Sequence, residues 1–179
     1  MLANKTLLIY LCAGLASGML SWAGARALPE PSVFLNLYPG MVLGLALLAV
    51  GQVLGEIPRS RLWVAALLLP TFCMLGWRLA VDVGFQYGAP LPYVAAGAMG
   101  AFSVAIGLLL AWRIQNKAVL LVSIVSAAGA LGGLVFQLIE KFIDGSGDYW
   151  GLILFVEWQT LLMLGIALAM ARVRPALRA

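Results

Sequence analysis

The chain has 179 residues, of which 64% are hydrophobic and 10% are charged, and its formal net charge is +4. A water-soluble globule of this size needs more polar surface than this composition supplies, which excludes a soluble protein. The basic pI of about 9.4 would favour nucleic-acid binding in a soluble protein, but these basic residues are divided among several membrane edges, and we expect no nucleic-acid partner.

Six apolar runs follow one another along the chain, and a spanning helix needs about 20 mostly apolar residues. The runs cover residues 6–25, 33–54, 62–84, 93–112, 118–139 and 150–171. Barrel strands need about half this length and alternate between polar and apolar residues, which these runs do not. The sequence therefore predicts an all-α integral membrane protein, a single six-helix transmembrane domain over residues 1–179 surrounded by membrane lipids.

The first run also has features of a cleavable export signal, because Lys5 precedes an apolar stretch that ends in small residues at 23–27. However, its apolar part is closer in length to a full span. Gly14 and Gly18 also give it a packing face that a discarded signal would not need. We therefore expect an uncleaved first helix.

The positions of the positive charges predict the orientation. If every run spans the membrane, eight of the eleven basic residues lie on one side: Lys5, Arg59, Arg61, Arg113, Lys117, Arg172, Arg174 and Arg178. Cytoplasmic loops carry the excess of Lys and Arg, so both termini are predicted to be cytoplasmic, in a bacterial-type inner membrane.

Aromatic residues support the same boundaries. For those near the predicted outer ends, anchoring at the membrane interface is favoured over stacking against a ligand. These residues are Trp22, Tyr38, Tyr87, Tyr93, Tyr149 and Trp150.

Small residues recur at four-residue spacing, which is typical of close contacts between membrane helices. The pairs are Gly14 with Gly18, Gly40 with Gly44, Gly51 with Gly55, Ala96 with Gly100, and Gly129 with Gly133. Pro39 and Pro70 lie inside predicted helices and are expected to kink them.

Ionisable groups within the apolar runs raise the question of function. Arg78 and Asp82 lie about 24 and 30 Å across the membrane from the cytoplasmic start of the third run, and their spacing allows an ion pair on one helix face. Glu157 lies about 10 Å below the outer surface, where a carboxylate needs a cation, a proton or a water-filled pocket.

We predict that Arg78 and Glu157 face each other across the third and sixth helices, at the floor of a cavity open to the outside. A purely structural pair is the alternative. The candidate substrate-binding residues are Arg78, Asp82, Glu157, Asn36, Gln137 and Gln159.

Several other chemistries are unfavourable. The chain has no histidine, and Cys12 and Cys73 lie in different helices, so we expect no cofactor and no metal site. The outer loop EKFIDGSGDYW holds Asp144 and Asp148, whose spacing lacks the ordered ligands of a calcium loop, so a flexible turn is favoured over a cation site. The loop is also a candidate lid over the predicted cavity.

The leading hypothesis is capture or translocation of a small polar solute from outside, alongside partner membrane subunits or as a homo-oligomer. The alternative is a non-catalytic subunit, scaffold or assembly factor of a membrane complex. A third hypothesis, a membrane hydrolase, would pair Asp82 with Glu157 or Asp144, but no flanking residues favour it, and we expect no enzyme.

No family motif is recognisable. In architecture alone, the chain resembles the substrate-capturing subunits of energy-coupling-factor vitamin transporters, with six helices, both ends inside and small residues on the first helix. Their alanine-x-x-x-alanine pattern is matched only loosely, by Ala13 with Ser17 or by Gly14 with Gly18. The resemblance implies a solute site in the outer half of the bundle.

Overall fold

The computed structural model describes residues 2–27, 33–86, 91–142 and 149–173. Within these ranges the chain is helical and has no strands. The helices are α1 (Leu2–Ala27), α2 (Val33–Val53), α3 (Leu62–Gln86), α4 (Pro92–Trp112), α5 (Ala118–Glu140) and α6 (Tyr149–Val173), with a 3-10 turn at Arg59–Arg61.

All six predicted runs are helical. The observed helices extend beyond several of the predicted bounds, because an apolar run marks only the part of a helix that contacts hydrocarbon. Five of the described helices are long and apolar enough to cross a membrane: Asn4–Ala27, Arg59–Gly84, Pro92–Trp112, Ala118–Glu140 and Tyr149–Val173. The apolar stretch of α2 is shorter, Leu37–Val53. These helices indicate a multi-pass membrane protein, and a sixth span stays a prediction.

The helices form a closed ring in chain order, in which each packs against its sequence neighbours and α6 packs against α1. Neighbouring helices are antiparallel, as short connections require. For example, Gly14 of α1 lies against Thr160 of α6, and one turn further along α1, Gly18 lies against Val156. Leu2 and Val173 therefore lie at the same end of the bundle. We call this the terminal end, and the opposite one the far end.

Small residues bring the helix backbones together, as their spacing predicted. Gly40 of α2 lies against the backbone of Cys73 in α3, and Gly97 of α4 lies against Gly129 of α5. The interior is filled with apolar side chains, among them Leu43, Leu69 and Ile166.

The outer surface of the bundle is apolar as well. Large hydrophobic side chains are exposed on several helices, including Leu67, Val119, Leu138 and Leu168. An apolar exterior is expected of helices that face lipid, since hydrocarbon does not penalise exposed apolar groups.

The end of α2 shows how a glycine determines where a helix stops. Gly55 has a φ of 64°, in the left-handed region. Its N–H donates to the carbonyl of Gln52 (3.1 Å), and the N–H of Glu56 donates to the carbonyl of Gly51 (2.8 Å). This pair of bonds is the Schellman arrangement, which satisfies carbonyls that a helix end leaves open.

Candidate functional site

Arg78 and Asp82 form a two-bond ion pair on α3. The Arg78 Nη2 lies 2.7 Å from the Asp82 Oδ1, and the Arg78 Nε donates to Oδ2 at 3.1 Å. The side chains are 49% and 35% exposed, and the neighbouring Leu75 and Leu79 are exposed too. The pair therefore lies on the outward side of α3, where the two charges neutralise each other.

Glu157 has a different environment. Both its carboxyl oxygens are buried and have no hydrogen-bond partner among the described residues. Leu168, which is 48% exposed, follows eleven residues later, about three full helical turns, and so shares its face of α6. Glu157 thus belongs to the same face of α6 as Leu168, but its carboxyl oxygens are covered by protein. The structure does not bring it together with Arg78, which is paired with Asp82.

Gln159 lies inside the bundle and is 1% exposed. Its Nε2 donates to the Oγ of Ser21 at 2.9 Å, which joins α6 to α1. The Gln159 Oε1 is buried without a partner among the described residues. This side chain contributes to helix association through one interhelical hydrogen bond.

The other predicted residues lie apart from one another. Gln137 is half-buried on α5, one turn after Gly133, which packs against α4. Asn36 belongs to α2, but its side chain lies outside the described part of the chain. Asp144 and Asp148, with the predicted lid, also lie outside the described residues. The substrate-binding role of all these residues stays a prediction.

A cavity of about 60 Å³ lies in the far half of the bundle, between α3, α4, α5 and α6. Four aromatic side chains line it: Trp77, Tyr93, Trp150 and Trp158. The remaining lining residues are small or aliphatic, including Gly84, Gly97 and Gly133. The glycines provide the space, because any side chain at these positions would project toward the neighbouring helices or the cavity.

Aromatic contacts fix the walls of this cavity. The Phe136 ring makes edge contacts with Tyr93 and Trp150, with ring centroids 5.1 and 5.0 Å apart. The rings of Trp77 and Phe155 lie 5.2 Å apart, which connects α3 to α6 across the bundle. The two edge-to-face pairs hold their rings in defined orientations.

Two polar groups belong to the aromatic walls. The Tyr93 hydroxyl donates to the Oε1 of Glu140 at 2.8 Å. The Tyr93 ring therefore separates the Glu140 carboxylate from the cavity. Trp158 is 6% exposed, and its Nε1–H is buried without an acceptor among the described residues. This nitrogen lies beside Gly97, which also lines the cavity.

Sequence reasoning found this cavity only in part. The sequence favours Tyr93 and Trp150 as interface anchors and gives no role to Trp77 or Trp158. The signal that could have found them is depth, because Trp77 and Trp158 lie about two and a half turns from the far ends of their helices, too deep for an interface anchor. The hypothesis of paired carboxylates gains no geometric support, since Asp82 is already paired with Arg78.

The chain matches no protein-family model, and comparisons with curated proteins and with solved structures found no match. The architectural resemblance to substrate-capturing transporter subunits therefore has no support beyond the helices themselves. Fold and site together indicate an all-helical, multi-pass membrane protein with an aromatic-walled cavity in one half of its bundle.

Proposed function

We propose that this chain is a six-span protein of a bacterial-type inner membrane, with both termini cytoplasmic, that captures or translocates a small solute reaching it from outside. The observation that carries the proposal is the cavity at the far end of α3 to α6. Concave sites between helices, walled by aromatic rings and holding few polar groups, are the usual form of small-molecule sites.

The distribution of charge supports the proposed orientation. The terminal end of the bundle holds the basic residues Lys5, Arg59, Arg61, Arg113, Lys117 and Arg172. Excess positive charge favours the cytoplasmic side, so the cavity would open toward the outside.

The predicted polar residues have a peripheral place in this proposal. Arg78 and Asp82 directly follow the lining residues Trp77 and Val81 but occupy the outward side of the same helix. The solute would therefore contact the aromatic walls rather than this ion pair. The proposal includes partner membrane subunits or a homo-oligomer, as expected from the sequence.

A test of the proposal is ligand-dependent stability of the purified full chain in detergent. A ligand that binds only the folded state raises the unfolding midpoint, by an amount set by its concentration relative to Kd. We expect at least one solute from a panel of charged, polar and apolar compounds to raise the midpoint.

The matched variants are Gly84→Leu, which fills the cavity, and Leu168→Ala, which changes an exposed position on α6. The stabilisation should disappear in the first variant and persist in the second. No stabilising solute in the panel, or equal stabilisation of Gly84→Leu, would contradict the proposal.

The second candidate function is a non-catalytic subunit or assembly factor of a membrane complex, and Glu157 favours it. Its buried carboxyl oxygens have no partner among the described residues, and a group on a neighbouring protein would pair with them once the side chain turns outward along the Leu168 face of α6. In this case Glu157→Gln should abolish co-purification of partner subunits while leaving solute stabilisation unchanged. Loss of solute stabilisation with intact assembly would oppose this candidate.

A further inference from the structure

We infer that the aromatic cavity binds a quaternary ammonium group. This inference rests on the proposed function and names the solute class for the same site. A solute arrives from water with its polar groups hydrogen-bonded, and the lining of the cavity offers almost no hydrogen bonds in exchange.

The lining residues exclude most polar solutes. A primary ammonium, a carboxylate or a sugar would lose its hydrogen bonds to water and regain few, because the walls are aromatic rings, glycines and aliphatic side chains. A quaternary ammonium carries a charge but has no N–H to leave unpaired. It is therefore the cationic group that this lining can accept.

The four aromatic walls compensate the charge. A cation within about 6 Å of the face of a Trp, Tyr or Phe ring is attracted by the ring quadrupole, and aromatic cages are a recurrent solution for quaternary ammonium ligands. Three of the four walls are tryptophans, the ring that binds cations best. The packing of Phe136 and Phe155 against these walls holds the rings in place before a ligand arrives.

The electrostatic surroundings favour a cation over a neutral apolar group. The Glu140 carboxylate accepts a hydrogen bond from Tyr93, which places negative charge behind one wall. The lining includes no Lys or Arg, and Arg78, next to Trp77 on α3, is neutralised by Asp82. A neutral hydrocarbon ligand would gain no binding energy from the nearby Glu140 charge.

The size of the cavity is consistent with this group. One water-sized group needs about 10–15 Å³ of such space. The cavity of about 60 Å³ therefore holds about four to six groups of that size, and a trimethylammonium has a nitrogen and three methyls.

The test compares choline with 3,3-dimethylbutan-1-ol, which has the same shape without the charge, and with tetramethylammonium, which has the charge without the oxygen. Binding to the purified full chain is measured by calorimetry and by the unfolding midpoint. We expect choline and tetramethylammonium to bind, and the uncharged alcohol to bind at least about tenfold more weakly than choline.

Four variants separate the contributions. Glu140→Gln should weaken the binding of both cations and leave the binding of the alcohol unchanged. Trp158→Phe keeps an aromatic wall but replaces the ring that binds cations best, so it should weaken the binding of choline and of tetramethylammonium alike. Trp77→Leu removes one aromatic wall and should weaken both cations several-fold. Trp63→Leu, at an 85% exposed position at the terminal end, is the control and should change nothing.

Equal binding of choline and the alcohol, or no binding of any of the three, overturns the inference. If a solute of another class stabilises the chain and loses that effect in Gly84→Leu, the proposed function stands and the quaternary ammonium assignment fails. If Trp77→Leu does not fold, the Glu140 and Trp158 variants still decide the question.

Discussion

Gly55 shows what a single residue contributes when its backbone conformation is special. It ends α2 in the left-handed region, and no atom lies within 4 Å of the position that a methyl group would occupy. Gly55→Ala should therefore lower the free energy of unfolding by about 1 kcal/mol through backbone strain alone. The measurement is detergent-induced unfolding, with Gly55→Asn, which tolerates this conformation, expected to lose less. An alanine variant as stable as the parent would contradict this explanation.

The Arg78–Asp82 pair should contribute little to stability despite its good geometry. Both side chains are partly exposed, and exposed ion pairs contribute about 0–1 kcal/mol. We expect Asp82→Asn to change the free energy of unfolding by less than about 1 kcal/mol. It should weaken choline binding only slightly, through the Arg78 charge that is no longer neutralised next to Trp77. A large loss of choline binding in Asp82→Asn would show that the Arg78–Asp82 pair belongs to the solute site.

These two residues illustrate what sequence can determine at this scale. The four-residue spacing within a helical run was sufficient to anticipate an ion pair between Arg78 and Asp82. The environment of Glu157 was not predictable in the same way. Depth follows from the rise per residue, but the direction in which a side chain points depends on which helices flank it.

At the scale of helices, the contact between α1 and α6 depends on glycine. A Cβ at Gly18 would lie 2.5 Å from the Cα of Val156 and 2.8 Å from the carbonyl oxygen of Phe155. Both are backbone atoms, which cannot move aside cheaply. Gly18→Ala should therefore destabilise the protein by about 1–3 kcal/mol, even though alanine is the better helix former by about 1 kcal/mol.

Gly151 offers the matched control on the same pair of helices. A Cβ there would meet nothing closer than 3.7 Å, at Trp22 of α1. Gly151→Ala should be neutral or slightly stabilising, and both variants are compared by their unfolding midpoints. Equal effects of the two substitutions would show that close packing does not hold this helix pair.

The Ser21–Gln159 hydrogen bond makes a second prediction about the same helices. Ser21→Ala removes the acceptor of the buried Gln159 amide and should cost about 0.6 kcal/mol, the average for interhelical bonds in membranes, and at most about 1.7 kcal/mol. Ser17→Ala, one turn away, removes a hydroxyl that bonds only to the Gly14 carbonyl of its own helix and should cost less. The two free energies of unfolding are measured side by side, and a larger loss in Ser17→Ala would refute this assignment.

For the whole molecule, the six-span topology makes a labelling prediction. In a chain with Cys12→Ala and Cys73→Ala, single cysteines replace Lys5, Lys117 or Lys141, which are exposed. A membrane-impermeant maleimide should label position 141 in intact cells, and positions 5 and 117 only after the membrane is opened.

Other outcomes would be equally informative. Labelling of positions 117 and 141 from the same side would show that α5 does not cross the membrane. Labelling of positions 5 and 117 from opposite sides would show an odd number of crossings among α1 to α4. The helix that fails to cross would then most readily be α2, whose apolar stretch is the shortest of the four.

The helical class of the molecule was readable from sequence because each run carries its own signal in length and hydropathy. The ring of helices was not readable from sequence, because pairs of small residues predict a close helix contact but do not indicate which helix is the partner. Gly14 and Gly18 could have packed against any helix, and only the structure pairs them with α6. The cavity lies between four helices, and only the structure shows that Trp77, Trp158, Tyr93 and Trp150 line it together.

Because the ring is closed by its first and last helices, its assembly order is constrained. The strip formed by Gly14, Gly18 and Ser21 on α1 finds its partner only after residues 149–173 have left the ribosome. Until then, Gly14, Gly18 and Ser21 face lipid or an insertase instead of α6. A chain that ends before α6 would leave this strip without its partner helix.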